Sequence, residues 1–408
     1  MKKELELYLH IPFCVRKCAY CDFLSGTADE KMQQEYVDAL IGEIHGYRSA
    51  YHDRYEITTI FVGGGTPSIL TGTQILKIFD ALYQSFQVAE GAEITMEVNP
   101  GTITNEKLHF WKQAGINRLS IGLQSVNNEE LRMLGRIHTY QDFLNTYKAA
   151  REYGFQNINV DLISAIPGQT LESWKKTLST VTELEPEHIS AYSLIVEEGT
   201  PFYQWYGSSA EAGEEKEYYP LPPDKKGDVH PALPDEDTER AIYELTAELL
   251  AQSGYRRYEI SNYAKKGYAC RHNLGYWERK EYLGIGLGAS SLVNHTRYHN
   301  TTDYKKYMEG IAEQKEIYED VEKLALSDEI EEYMFLGLRK MEGISVKEFE
   351  RQFGKDITDI YKEELEKLES AGLLMRSGDR LSLTSRGINV SNSVFVEFLA
   401  PCLNEENR

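Results

Sequence analysis

Three cysteines stand in one short run, Cys14-Val-Arg-Lys-Cys18-Ala-Tyr-Cys21, a C-x3-C-x2-C spacing that lets a single loop present all three thiolates together. Iron–sulfur cages take thiolate ligands, and three of them leave one corner of a four-iron cage without a protein ligand. That iron is a Lewis acid able to chelate the amino and carboxylate groups of a small molecule. An electron passed through the cage could then cleave a sulfonium C–S bond. Two other chemistries fit the same residues: a zinc site completed by His10 or Asp22, and a redox pair at Cys18 and Cys21.

The other residues with chemical potential lie farther along, at Gly63-Gly64-Gly65-Thr66-Pro67, Glu97 to Gly101, Gln124 and Asp161. Glycines let a backbone approach a ligand closely, and carboxylates accept from hydroxyl or amino groups. Dense β-branched and aliphatic content predicts the strands that must position them: Leu5 to Pro12, Ile57 to Val62, Ile94 to Val98, Arg118 to Leu123, Ile158 to Ile163 and Ile189 to Ile195. Apolar residues at helical spacing predict helices between them, over Thr73 to Phe86, Asn105 to Ala114, Gln141 to Tyr153 and Leu171 to Leu184. Strands joined by crossover helices predict an α/β fold with a parallel sheet, either a partly closed barrel or a doubly wound sheet. In both, ligands sit at the carboxyl ends of the strands, where these patches are expected to fall.

The 408 residues are 41% hydrophobic and 27% charged, as in a soluble globular protein. Their number predicts one large and one small domain. A formal net charge of −21 repels phosphate backbones and anionic lipid, and no Lys/Arg cluster is long, so no nucleic-acid partner is expected. No stretch reaches the length of a membrane-spanning helix and no signal-like apolar run follows Met1, which predicts a cytoplasmic protein. Clustered cysteines in a reducing compartment suggest metal or redox chemistry rather than disulfides.

The barrel core is expected over 1–235, with a Gly-, Pro- and acid-rich mobile insertion at 207–234. A segment completing the barrel is expected over 236–310, with a helix from Glu239 to Gln252 and short strands around Tyr258 to Ser261 and Tyr282 to Ser290. A smaller, mainly helical domain is expected over 311–408. Its hairpin signal from Leu373 to Leu383, set among helices, gives a winged-helix pattern, and the acidic balance favours packing or docking over DNA binding.

The cysteine spacing, Tyr20 directly before the third cysteine, and the glycine motif after the second strand together resemble the signature of the radical S-adenosylmethionine superfamily, whose fold is a partial (β/α)6 TIM-like barrel. Tyr8-Leu-His-Ile-Pro-Phe-Cys14, the run ending at Ser68, Glu97-Val-Asn-Pro-Gly-Thr102, Asn117 to Gln124, Leu134-Gly-Arg-Ile-His138 and Asp161 to Thr170 resemble, more closely, the oxygen-independent coproporphyrinogen III oxidase family and its relatives, the HemW-type heme chaperones. The likeness runs from Tyr8 to the end of the chain. It implies a [4Fe-4S] cluster on Cys14, Cys18 and Cys21. It also implies an S-adenosyl-L-methionine pocket lined by Tyr8, Tyr20, Gly64, Gly65, Thr66, Glu97, Gln124, Arg136 and Asp161, with Arg136 as partner of the methionyl carboxylate.

Two departures separate the chain from the oxidase pattern. Phe23 stands where that pattern has a fourth cysteine, and only four residues precede Leu5 where the oxidase carries an extension. Cys270-Arg-His272-Asn273-Leu-Gly-Tyr276-Trp277 reproduces the H-N-x-x-Y-W sequence of the chaperones. Imidazole can ligate heme iron and aromatic rings offer a macrocycle flat apolar surface, so His272 is the expected heme contact, with Cys270 behind it. Read as packing, the same motif would organise the floor of the barrel. The expected function is a heme carrier that serves an unidentified heme-accepting protein, compatible with a homodimer and with transient docking on a membrane complex. The alternatives are a coproporphyrinogen III oxidase making protoporphyrinogen IX and a zinc-stabilised interaction module.

Overall fold

Strands β1 (Lys3–Ile11), β2 (Tyr55–Gly64), β3 (Val88–Val98), β4 (Arg118–Gln124), β5 (Ile158–Ser164) and β6 (His188–Ser193) lie side by side in chain order, every neighbouring pair parallel. The computed structural model describes residues 2–207 and 230–399, so the insertion expected at 207–234 falls for the most part outside the described residues. β4 is buried at every position, as a central strand covered on both faces must be. The crossover helices Gly72–Ser85, Asn105–Gln113, Tyr140–Glu152 and Leu171–Thr182 each start after a threonine whose side chain accepts an N–H of the first turn. Their apolar faces, with Trp111 and Trp174 fully buried, cover the sheet.

The sheet extends beyond both outer strands. β7 (Arg256–Arg257) and β8 (Asn262–Ala264) form an antiparallel pair, and β8 joins the edge of β6. On the other side β9 (Tyr282–Ile285) runs parallel to β1, followed by β10 (Ser290–Val293), β11 (Thr296–Asn300) and β12 (Tyr318–Lys323) in antiparallel order. β12 and β7 remain as edges, so this is an open, barrel-like sheet.

Two expected strands are corrected. Tyr258 to Ser261 belongs to the turn region between β7 and β8, where the Glu259 carboxylate accepts the Ser261 N–H and the Asn262 amide, both at 2.7 Å. A side chain that bonds its own neighbours in this way favours a turn over a ladder. The stretch from Tyr282 to Ser290 is broken at Gly286 and Gly288, whose φ values of +103° and +66° turn the chain back into β10.

The sheet also reaches past the boundary expected at 311. The helix Tyr304–Glu313 spans that position with Ile311 packed on the main core, and β12 follows in the same sheet. A second core then gathers Ile330, Met334, Phe349, Ile360, Leu365 and Leu381 under the helices Leu326–Gly337, Val346–Phe353 and Ile357–Ser370. The predicted hairpin is there as β14 (Leu374–Ser377) and β15 (Arg380–Leu383), and β13 (Ile344–Ser345) adds a third strand to complete the winged-helix pattern. Among the described residues no helix is long and apolar enough to cross a membrane.

Candidate functional site

β1 leads directly into the cysteine loop, which is tied at its base and in its middle. The Cys14 N–H donates to the Gly26 carbonyl and the Gly26 N–H to the Pro12 carbonyl, each at 2.9 Å. The Ala19 N–H donates to the Leu134 carbonyl at 3.0 Å, and its own carbonyl accepts from the Phe202 N–H at 3.1 Å. Tyr20 sets its ring edge-on to Phe202, in a small apolar cluster with Leu134, Ile163 and Ile166. So anchored, Cys14, Cys18 and Cys21 are half-buried, free thiols around one cavity of about 380 Å³.

Tyr20, Gly64, Gly65, Thr66, Glu97, Gln124, Arg136 and Asp161 all line that cavity. Tyr8 lines a neighbouring one instead. The glycine motif makes room for the protein's own chain. A Cβ on Gly65 would lie 2.7 Å from the Phe13 carbonyl oxygen, and one on Gly64, with φ of +110°, would lie 2.6 Å from the His10 ring. Thr66 donates to the Cys14 sulfur at 3.5 Å and accepts from Asn99 at 2.7 Å. Arg136 gives Nη2 to Asn99 and to the Gly122 carbonyl, both at 2.8 Å, and Nη1 to the Cys18 sulfur at 3.7 Å. Its charge therefore faces the Cys18 thiol, and one edge of the fork expected to hold a carboxylate is already engaged. Asn99, which joins Thr66 to Arg136, had no signal in the sequence beyond its place in the Glu97 to Thr102 run.

The electrostatics favour a cation. Burial, with the Asp161 charge adding to it, pushes the Glu97 carboxyl up to about 8, and the one opposing influence is the Gly64 N–H at 3.1 Å. Burial raises Asp161 too, against donors from Ser120 at 2.9 Å and Asn159 at 2.8 Å. A ligand bearing an ammonium and a sulfonium would restore the charge that these carboxyls lack. Gln124, the last residue of β4, takes a left-handed φ of +71°, a conformation that a non-glycine residue holds at a cost and that recurs at functional sites. Burial holds the Cys21 thiol up at about 11, so metal ligation there must displace a proton. Among the described residues no three His, Cys, Asp or Glu side chains converge on a point where a single metal ion would sit.

Residues 8–181 match the Radical SAM superfamily and residues 324–390 the HemN C-terminal domain. The solved structure of coproporphyrinogen III oxidase (HemN) from Escherichia coli is similar at a TM-score of 0.82, with 26% identity, over 98% of this chain and 91% of that one. Heme chaperone HemW of Bacillus subtilis is 36% identical over 96% of this chain and 98% of its own length. HemW of Escherichia coli is 36% identical over 97% and 98%. This chain belongs to the HemW family. Membership in the radical SAM superfamily implies a [4Fe-4S] cluster and S-adenosylmethionine, and the donor set fits both. Cys14, Cys18 and Cys21 would hold the cluster, while Glu97 and Asp161 would face the cationic cofactor.

The H-N-x-x-Y-W stretch forms the helix Arg271–Trp277, set against the earlier halves of β1 to β3. Glu93 accepts the N–H groups of Arg271 and His272 at 3.1 and 3.2 Å, a carboxylate at the positive end of a short helix. His272 is 1% exposed. Its Nδ1 pairs with the Thr59 hydroxyl at 2.7 Å, its Nε2 with the Tyr276 hydroxyl at 3.1 Å, and its ring stacks on Phe61. Burial, helped by Arg118, lowers its pKa to about 3, and burial pushes the Cys270 thiol up to about 12. As the chain is folded here, His272 and Cys270 act as floor packing and touch neither cavity. Tyr276 and Trp277 do line a cavity: the neighbouring one, of about 700 Å³, between β1, β9 to β11 and the helix Leu326–Gly337. Phe23, Gly64 and Glu97 belong to the walls of both cavities.

Glu6 shares this floor, 3.6 Å from His272 with a buried oxygen that has no hydrogen-bond partner among the described residues, and burial pushes its carboxyl up to about 8. Between pH 4.5, its ordinary value, and about 8 the folded chain holds a proton there that the unfolded chain has lost. Stability from Glu6 therefore falls as pH rises through that window. Glu6→Gln lacks this titration, and its stability relative to the parent should climb with pH there, by at most about 1.4 kcal/mol per pH unit. Urea unfolding of both proteins at several pH values checks this. Parallel curves would exclude a buried, protonated Glu6.

Proposed function

We propose that this chain is a heme chaperone that binds heme beside a [4Fe-4S] cluster and S-adenosylmethionine and delivers heme to an acceptor protein. The observation that carries the reading is the likeness, over nearly the whole of both chains, to proteins named heme chaperone HemW. Phe23 supports it, since the oxidase pattern has a cysteine there, and so does a large cavity adjoining the cysteine site. His272 remains the proposed imidazole contact. Its Nε2 can reach an iron in the neighbouring cavity only after the Tyr276 side chain, which stands between them, swings aside.

Heme added to the anaerobically purified protein should give a Soret band that saturates. Tyr276→Phe, which frees Nε2, should tighten binding, and His272→Ala should weaken it. Unchanged spectra in both variants would remove His272 from the heme site. Absence of a saturating band in the parent protein, or consumption of coproporphyrinogen III with S-adenosylmethionine and a reductant, would replace the chaperone reading with the oxidase.

A further inference from the structure

The cavity of about 700 Å³ has two kinds of wall. Tyr276, Trp277, Phe335 and Leu336 give it flat apolar surface, and Arg279 and Arg297 bring two guanidinium groups to its edge. Both pair with Glu332, and Glu329 on the same helix lies 3.8 Å from Arg279 Nη2. Glu332 accepts from Arg279 Nε at 2.8 Å and from Arg297 Nη1 at 2.6 Å, with the Arg279 and Glu332 side chains only 6% and 7% exposed. Glu332 rides on the helix Leu326–Gly337, whose Ile330 and Met334 belong to the second core, while both arginines belong to the barrel segment.

Burying such a cluster costs desolvation of every charge, and an all-apolar seam would hold the two units together as well. Arg279 also sits in the left-handed region, φ +52°, just past the end of its helix, a place where glycine is usual. That backbone cost sets the guanidinium at the cavity edge. Arginine forks match carboxylates in pairs, so two of them beside an apolar slot suit a flat apolar molecule with two carboxylates on one edge.

We propose that Arg279 and Arg297 are the carboxylate-binding pair of this cavity and that Glu332 fills their forks when the ligand is absent. The ligand class is a tetrapyrrole with free propionates, an identity that rests on the heme-chaperone reading. Loading exchanges the ligand's carboxylates for Glu332, and so frees one anchor of the C-terminal domain.

The test compares heme with heme esterified at both propionates, each titrated by absorbance. The parent protein should prefer the free acid by about tenfold or more, the effect of one or more charge-assisted bonds. Arg279→Gln and Arg297→Gln should lose most of that preference, and Arg297→Lys should keep part of it. Glu332→Gln should bind the free acid more tightly and leave ester binding unchanged, which loss of a mere domain clamp would not do. Equal affinities in the parent protein, or a preference that survives both glutamine variants, would overturn the proposal and leave the chaperone reading standing. Failure of heme to bind at all would remove both. The ester comparison needs no variant, so misfolding of the variants cannot obscure it.

Discussion

Cys18→Ala, purified without oxygen, is expected to be colourless, without the broad visible absorption of the parent protein and with nearly all its iron gone. Cys18 has no place in the apolar cores; its sulfur accepts from Arg136, and the cysteine loop is held by other bonds. Unfolding of the metal-free protein should therefore shift by less than about 1 kcal/mol. Loss of the metal centre without loss of the fold is the signature of a ligand. With two thiolates left, half the irons of a four-iron cage would lack a protein ligand. Iron analysis and visible spectra decide it. A variant that keeps its iron would sink the assignment, and a colourless parent with stoichiometric zinc would revive the zinc reading.

Glu43→Ala should cause the largest loss of stability among single side-chain changes proposed for this chain, about 4 kcal/mol or more. Glu43 is buried, and burial raises its pKa despite four donors. It accepts from Tyr307 at 2.7 Å, Asn300 at 2.8 Å, the Gly286 N–H at 2.9 Å and Tyr47 at 3.2 Å. These come from the helix Tyr304–Glu313, the turn residue Tyr47 between two helices, the end of β11 and the turn after β9. Truncation removes an acceptor from all four where water does not reach, each at roughly 1–3 kcal/mol before relaxation, although Asn300 keeps the Gly286 carbonyl at 2.8 Å. Glu43→Gln retains one oxygen acceptor and should lose about half as much. Urea unfolding measures both, and amide exchange at Gly286 and Leu287 should accelerate in step. A change under about 1 kcal/mol in the alanine variant would show that the network is not structural.

Most of what positions the cysteine site was legible in the chain. Buried parallel strands have long aliphatic runs, and threonine caps mark the helix starts, so β1 to β6 and the patches at their ends were foreseeable. The floor was not, because a histidine among aromatics has the same composition whether it faces a ligand or, like His272, satisfies both nitrogens internally. Tyr258 to Ser261 has strand-like residues, yet Glu259 bonds its own neighbours and makes a turn. Arg279, Arg297 and Glu332 meet from segments far apart in sequence, each an ordinary surface charge when read alone. Pairing of that kind is a property of the fold, and no local pattern announces it.

His10 occupies the space that a side chain at position 64 would need, and from there its Nε2–H holds the Leu24 carbonyl, near the far end of the cysteine loop, at 2.8 Å. Its Nδ1 is left to accept from the Tyr8 hydroxyl at 3.0 Å. Positions 10 and 64 therefore cannot drift independently over evolutionary time. Anything larger than glycine at 64 must be preceded by something smaller at 10, and that earlier step unties the loop. Even a lineage that has given up the histidine tether still meets the φ of +110° at position 64, so space and backbone conformation constrain this glycine separately.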